Sequence, residues 1–137
     1  MATTSTGGCA CGAIRYEISA DPVMSANCYC RDCQKSTGGA MAPVIVVPKS
    51  AFRLIKGELK YHAVVGDSGN EVGRGFCASC GAPISTRLAA MPDVMVIKAA
   101  SLDEPARFKP TMNIYMSSAQ PWAPVAQGLQ NFDKMPG

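Results

Sequence analysis

The sequence lacks the features that mark membrane, secreted and nucleic-acid-binding proteins. Its longest apolar stretch, residues 42–47, is far shorter than the roughly 20 residues that span a bilayer. The residues after Met1 provide neither the basic start nor the apolar segment of a secretory signal. The 13 Lys and Arg residues are scattered, and a net charge of +3 is too small to indicate nucleic-acid binding. We therefore expect a cytoplasmic protein that binds neither membranes nor nucleic acid.

Histidine is also scarce, since His62 is the only one in the chain. It alternates with Tyr61 in a strand-like segment that is distant from the central cysteine motif. We interpret His62 as a solvent-facing strand residue, and ligation of a metal by its imidazole is the alternative.

Cysteine, by contrast, is abundant, and its seven residues form three tight groups. The patterns are C-x-C, C-x-C-x-x-C and C-x-x-C, formed in turn by Cys9 and Cys11, by Cys28, Cys30 and Cys33, and by Cys77 and Cys80. A structural zinc site takes four thiolates, whereas a catalytic site takes three protein ligands and keeps one position open. Seven cysteines divide into four and three. The sequence therefore predicts two Zn²⁺ ions per chain, one in a closed site and one in an open site.

Two other uses of these cysteines fit the pattern less well. Neighbours in C-x-C and C-x-x-C pairs are too close for typical structural disulfides, seven is an odd number, and disulfides belong mainly to oxidising compartments. A thioredoxin-like redox role for Cys77 and Cys80 expects the pair to open a helix after a strand. Here Gly81 and Pro83 follow at once, which favours a zinc knuckle.

The distribution of glycine, proline and apolar residues predicts a mainly β protein. The 13 glycines and 10 prolines interrupt the chain at short intervals. Apolar residues alternate with polar ones in residues 14–18, and buried strands are predicted at residues 43–47 and 94–99. Beyond Ser101, only residues 114–116 are strand-like. The length of 137 residues indicates a single domain, residues 1–137.

Turn signals add three more specific predictions. Residues 52–55 and 59–61 are expected to pair as a hairpin around the Lys-Gly-Glu turn between them. Residues 28–35 are expected to form a loop that passes into a single helical turn ended by Gly38. The strands on either side of the last cysteine pair are expected to form a hairpin with that pair at its tip.

This arrangement supports the division of the cysteines. Zinc ligands often come as two pairs from separate knuckles, and the first and last cysteine pairs fit that role. Their union would join residue 9 to residue 80 and stabilise the domain through the bound metal. The middle three cysteines would lie on one short loop. Water, a substrate or a non-cysteine ligand would take their remaining coordination position.

Three motifs in a fixed order, and a C-terminal pair, carry a resemblance to a known family. They are GCACG at 8–12 followed by IRYE at 14–17, CYCRDC at 28–33, FCASCG at 76–81, and Pro121 with Trp122, which the similar ending at residues 128–135 follows. This series is similar to that of the glutathione-dependent formaldehyde-activating (GFA-type) proteins. The similar segments extend from about residue 7 to residue 135, which is nearly the whole chain.

The resemblance implies a twisted antiparallel β-sandwich of the Mss4-like type with knuckle-type zinc sites. By residue-wise match, it implies a structural zinc on Cys9, Cys11, Cys77 and Cys80, and a catalytic zinc on Cys28, Cys30 and Cys33. It also implies a carbon–sulfur lyase that condenses glutathione with formaldehyde to S-hydroxymethylglutathione. One departure bears on the substrate, since Asn113 stands where the family often has a histidine.

Four other side chains have two interpretations each. Arg31 and Asp32, between the middle cysteines, either bind substrate carboxylates or orient the loop, or are simply solvated. Arg74 either binds a carboxylate of glutathione or forms an ion pair within the protein. Trp122 either walls the substrate pocket or is buried in the core under the C-terminal segment, and we favour burial.

Two other functions remain open. The chain is alternatively a zinc enzyme for a different thiol conjugate, or a binding module in which zinc is purely structural. A binding module needs only the four outer cysteines, so the additional three-cysteine motif favours exchange of a ligand there. Exposed sheet edges would be compatible with a homodimer.

Overall fold

The computed structural model describes residues 4–66 and 69–136 of the chain. Within them, eleven strands are formed: β1 (Ser5–Gly8), β2 (Arg15–Ile18), β3 (Met24–Cys28), β4 (Ala42–Pro48), β5 (Phe52–Lys56), β6 (Lys60–Val65), β7 (Glu71–Phe76), β8 (Pro83–Leu88), β9 (Val94–Lys98), β10 (Met112–Ile114) and β11 (Gln130–Asn131). One α-helix, α1, spans Arg31–Thr37. Short 3₁₀ helices cover Lys49–Ala51, Ala99–Ser101, Pro105–Arg107 and Met116–Ser118. Among these residues, no helix has the length and apolar character needed to cross a bilayer.

The strands form two sheets that confirm the predicted mainly β sandwich. The smaller sheet is antiparallel and has the order β1-β2-β5. The larger sheet has the order β11-β10-β3-β4-β9-β8-β7-β6. Six of its strands run antiparallel to their neighbours, in the order β3-β4-β9-β8-β7-β6. Strand β10, by contrast, runs parallel to both β3 and β11. The larger sheet is therefore mixed at one edge.

The main hydrophobic core lies between the two sheets. Ile14, which precedes β2, and Tyr16 and Ile18 on β2 are all buried, as their alternation with polar residues predicts. They pack against apolar side chains of the larger sheet, namely Ile45, Val47, Ile84, Met95 and Ile97. The ring of Tyr16 lies 5.3 Å from that of Phe52, measured between centroids. This core fixes one face of the larger sheet against the smaller sheet.

The opposite face of the larger sheet, called the outer face below, carries a second buried cluster. Ala26, Val44 and Ile114 belong to it, and so do Cys28 and Cys33. Since Cys33 belongs to α1, the helix lies on this outer face. The helix begins after Cys30 and ends at Gly38, whose φ of 70° is left-handed. The predicted stop at Gly38 is confirmed, and the helix before it spans 7 residues.

The predicted hairpin between residues 52–55 and 59–61 is wrong. Strand β5 pairs with β2 in the smaller sheet, whereas β6 pairs with β7 in the larger sheet. Gly57, with a φ of 81°, lies where the chain leaves one sheet for the other. The chain does turn at this glycine, but the turn leads from one sheet to the other and does not join two paired strands.

The C-terminal segment also differs from expectation. Strand β10 ends at Ile114, because Tyr115 has a left-handed φ of 58° and a 3₁₀ helix follows. The predicted strand at residues 114–116 therefore lies two residues too far along the chain. Strands β1, β3 and β11 were not predicted, since their short sequences are rich in small and polar residues.

Candidate metal centres

The first and last cysteine pairs meet in one cluster, although they are far apart in the sequence. Cys9 and Cys11 lie between β1 and β2, and Cys77 and Cys80 lie at the tip of the β7–β8 hairpin. The four sulfur atoms all lie within 4.8 Å of one another. The Sγ of Cys11 is 3.6 Å from that of Cys9 and 3.8 Å from that of Cys77. We call these four residues the outer cluster.

Backbone amides point at sulfur atoms in both halves of the outer cluster. The amide of Ile14 donates to the Sγ of Cys9 at 3.2 Å, and the amide of Cys80 donates to that of Cys77 at 3.5 Å. Each pair is followed by a left-handed glycine, Gly12 with a φ of 83° and Gly81 with a φ of 78°. Amide donors of this kind stabilise thiolates, the form of cysteine that binds metals.

The pKa is shifted in different directions for different thiols of the outer cluster. Partial desolvation raises the pKa of Cys9, but the Ile14 amide and the neighbouring thiols lower it to about 6. For Cys11, the amide of Ala13 lowers the pKa, but the competing thiol of Cys9 and desolvation raise it to about 11. The amide of Ala82 lowers the pKa of Cys80. The thiolate forms of Cys9 and Cys80 are therefore favoured over that of Cys11, and a bound cation would favour further thiolates.

The outer cluster fits a closed tetrahedral metal site. Four thiolates at the Zn–S distance of about 2.3 Å lie about 3.8 Å from one another in a tetrahedron. The two sulfur separations of 3.6 and 3.8 Å match this value. The geometry thus suits a metal ion with four sulfur ligands and no open position.

The middle cysteines form a second group, called the inner cluster, whose sulfur atoms also lie within 4.8 Å of one another. Cys28 is the last residue of β3, Cys30 caps α1, and Cys33 lies in the first turn of that helix. The amide of Cys33 donates to the Sγ of Cys30 at 3.3 Å. The prediction that one short loop carries all three cysteines is therefore wrong, because Cys28 ends a strand and Cys33 belongs to a helix.

The inner cluster is more buried than the outer one. Cys28 and Cys33 are buried and Cys30 is half-buried, whereas Cys11 and Cys80 are exposed. The neighbouring thiols and desolvation raise the pKa of Cys28, and hydrogen bonds from Cys28 and Cys30 lower the pKa of Cys33. In the described part of the chain, no further Cys, His, Asp or Glu joins the three sulfur atoms.

Two cations lie beside the inner cluster. The Nη2 of Arg74 donates toward the Sγ of Cys33 at 4.0 Å. Lys98 is only 5% exposed, and its charge and that of Arg74 both lower the pKa of Cys33. Desolvation lowers the pKa of Lys98 itself, and the charge of Cys33 opposes that shift. Lys98 was missed from sequence, although a lysine inside the apolar run of residues 94–99 was a usable signal.

Gln34 attaches the C-terminal segment to the helix that carries the inner cluster. Its side-chain amide donates to the carbonyls of Tyr29 at 2.7 Å and Ser118 at 3.0 Å, and its oxygen accepts from Gln120. The hydroxyl of Tyr29 donates to the carbonyl of Pro124 at 2.9 Å. These bonds fix α1 and hence the position of two of the three inner sulfur atoms.

The other predicted site residues lie outside both clusters. His62 is exposed on β6 opposite Arg74 and belongs to neither cysteine group, as expected for a strand residue. Arg31 donates to the side chain of Gln34, and Asp32 is exposed. The expected burial of Trp122 is wrong, because this side chain is 67% exposed.

Asn113 is fully buried, and its side chain forms hydrogen bonds within the protein. Its Oδ1 accepts from the side chain of Asn27 at 3.1 Å, and its Nδ2 donates to Asn131 at 2.9 Å and to the carbonyl of Ala126 at 3.3 Å. It therefore joins β3, β10 and the C-terminal segment.

Comparisons with known proteins point to one family. A model of the family described as glutathione-dependent formaldehyde-activating enzyme matches residues 4–118. A crystal structure of a Rhodobacter sphaeroides protein shares the fold, with a TM-score of 0.59 and 18% identity. The alignment covers 93% of this chain and 98% of that one. No curated protein matches the sequence.

Proposed function

The chain belongs to the glutathione-dependent formaldehyde-activating family, and from this premise we propose that it is a zinc-dependent carbon–sulfur lyase for S-hydroxymethylglutathione. In the synthetic direction, the sulfur of glutathione forms a bond to the carbon of formaldehyde. The carbonyl oxygen becomes a hydroxyl group, and the thiol loses its proton. The reverse reaction breaks the same carbon–sulfur bond.

The inner cluster carries this proposal. Three cysteines with no fourth protein donor among the described residues suit a site that exchanges a ligand. The outer cluster supplies four thiolates and suits a structural metal. We therefore propose that Cys9, Cys11, Cys77 and Cys80 hold a structural zinc, and that Cys28, Cys30 and Cys33 hold the catalytic one.

The donor set of the inner cluster fits zinc, since soft thiolates are among its preferred ligands. Zinc bound there would supply a positive centre that binds a thiol and lowers its pKa, which is otherwise near 8.5. The protein contributes a rigid placement of the three sulfur atoms through the end of β3 and the first turn of α1. Arg74 and Lys98 offset the negative charge that several adjacent thiolates accumulate.

The cysteines are also consistent with a reducing compartment. All seven are free, and the proposed metal sites require them as thiolates. Because thiols persist in the cytoplasm and disulfides form mainly outside it, we propose a cytoplasmic location.

Exchange NMR with ¹³C-formaldehyde and glutathione tests the proposed activity. The zinc content of the protein is measured first, and the interconversion of free and adduct forms is then compared with the rate without protein. We expect the wild type to accelerate the exchange and Cys30→Ser to lose the acceleration. Arg87→Gln is the matched control, because Arg87 is a cation on β8 whose side chain contacts Tyr61 and not the inner cluster.

The possible results separate the functions. Acceleration by the wild type and the control, but not by Cys30→Ser, supports the lyase. Absence of acceleration with two zinc ions bound would exclude this substrate pair and favour another thiol conjugate or a binding role. Equal acceleration by Cys30→Ser would place the chemistry away from the inner cluster.

A further inference from the structure

A row of polar side chains crosses the outer face of the larger sheet beside the inner cluster. Arg74 on β7 is opposite Thr86 on β8, and Thr86 is opposite Val96 on β9. Directly opposed residues of antiparallel strands point to the same face, and so do residues two apart on one strand. Lys98 therefore shares the face of Arg74 and Thr86. Cys28 also points to this face, since it belongs to the buried apolar group that contains Ala26 and Val44.

Two atoms of this row are buried without a hydrogen-bond partner. They are the Nε of Arg74 and the Oγ1 of Thr86, and Thr86 as a whole is only 5% exposed. A buried polar atom without a partner is costly, so native proteins rarely leave one unpaired. Both atoms lie on one face of two neighbouring strands, which indicates a common missing partner.

The cations of the row also lack acidic partners. Among the residues that the structure describes, ion pairs join Arg15 to Asp103, Arg53 to Glu17 and Arg107 to Glu104, and none includes Arg74 or Lys98. A buried cation without a counter-ion is costly, and thiolates alone would compensate it here. Pairing of the two cations with the thiolates does not, however, explain the buried hydroxyl of Thr86. That group carries no charge and would still lack a partner.

We propose that Arg74, Thr86 and Lys98 form an anion subsite that binds a carboxylate of the thiol substrate. This inference rests on the proposed function, because the substrate's sulfur would lie at the inner cluster. Arg74 and Lys98 would supply charge-assisted donors and Thr86 a hydroxyl donor, a set that suits a carboxylate. The short separation of 4.0 Å between Arg74 and the Sγ of Cys33 places the subsite next to the sulfur atoms. It would select acidic thiols such as glutathione over neutral ones.

Binding of two matched thiols to zinc-loaded protein tests the subsite without any activity assay. The probes are 3-mercaptopropionate and 3-mercapto-1-propanol, which differ only in the carboxylate, and calorimetry gives their affinities. We expect the wild type to prefer the acid by about tenfold or more, as for hydrogen bonds to a charged group. Propionate, which has no thiol, is titrated separately and followed through the NMR signal of the Arg74 side-chain N–H.

Three variants and one control complete the test. Arg74→Gln and Lys98→Met each remove a cation, and Thr86→Val removes the hydroxyl at nearly constant shape. We expect each cation variant to reduce the preference for the acid at least threefold and Thr86→Val to reduce it less. Arg87→Gln, next to Thr86 in sequence but on the opposite face, keeps the preference. If Lys98→Met does not fold, Arg74→Gln and Thr86→Val decide the question.

Each result has a defined meaning. Loss of the preference in the cation variants supports the subsite. Equal affinity of the wild type for both thiols, or a preference unchanged in every variant, overturns it and leaves Arg74 and Lys98 as counter-ions of the thiolates. If neither thiol binds but propionate does, and Arg74→Gln abolishes that binding, the subsite stands and the proposed function fails. If none of the three compounds binds, the subsite is excluded.

Discussion

The Sγ atoms of Cys11 and Cys77 lie 3.8 Å apart, although 66 positions separate the two residues in the sequence. Cys11 lies before the smaller sheet's strand β2, and Cys77 lies at the end of the larger sheet's strand β7. A metal held by both would connect the two layers of the sandwich. Such a link would stabilise the fold itself, in contrast to a metal bound only by β3 and α1.

We predict that Cys11→Ser destabilises the protein far more than Cys30→Ser does. A structural zinc contributes about 10 kcal/mol or more to folding, and loss of one thiolate forfeits a large part of this. Cys30→Ser should lose the inner metal but unfold near the wild-type midpoint. Urea denaturation with parallel zinc quantification measures both effects. Equal destabilisation by the two variants would contradict the division into structural and catalytic sites.

Asn113 gives a prediction about the C-terminal segment. Asn113→Ala leaves the buried side chain of Asn27 without its acceptor and frees Asn131 and the carbonyl of Ala126. We expect a loss of about 1–3 kcal/mol in the free energy of unfolding and faster hydrogen exchange around residue 131. Thr111→Ala is the control, because its exposed hydroxyl makes one bond, to the carbonyl of Ser25. A loss no larger than that of the control would show that Asn113 does not anchor this segment.

Much of the strand content could be predicted because it depends on local patterns. Alternation around Tyr16 and the apolar runs of β4 and β9 report burial directly. Pairing is different, since the partner of β5 is β2, which lies more than 30 residues earlier. Strand β3 was missed because its sequence, MSANC, is polar and small. It becomes a strand through neighbours on both sides, β4 and β10.

The cysteine groups were predictable, but their surroundings were not. Spacing alone divided the seven cysteines as the structure groups them. Arg74, Thr86 and Lys98 come together only through the registers of β7, β8 and β9, which no local pattern specifies. The exposure of Trp122 had no signal either, because an aromatic side chain in a proline-rich segment is equally compatible with burial.

Gly57 is predicted to tolerate no side chain. Its φ of 81° favours glycine, and a Cβ there would clash with the carbonyl oxygen of Ala13 and the side chain of Ile14. Gly128 has the same φ of 81° but open space around it. Gly128→Ala should therefore cost about 1–2 kcal/mol for backbone strain alone, and Gly57→Ala substantially more. Thermal denaturation compares the two. Similar losses would show that the chain shifts at Gly57 without cost.

We predict that Tyr16 sets the alkaline limit of the protein's stability. Burial raises the pKa of Tyr16 to about 12, although its hydrogen bond with Ser101 opposes the shift. In the unfolded chain this phenol ionises near pH 10. Above pH 10 the unfolded state therefore releases a proton that the folded state retains. This stabilising contribution is complete below pH 10 and is lost as the pH rises toward 12.

Tyr16→Phe should accordingly be less stable than the wild type at pH 8 and more stable at high pH. At pH 8 the variant is expected to be less stable by about 1 kcal/mol, because the hydrogen bond between Tyr16 and the hydroxyl of Ser101 is lost. Between pH 10 and 12 the wild type loses up to about 1.4 kcal/mol per pH unit through this tyrosine, and the variant does not. The stability difference should shrink and then reverse. Urea denaturation at pH 8, 10 and 11 measures it, with Tyr61→Phe on β6 as the control. A constant difference across this range would show that Tyr16 does not determine the alkaline limit.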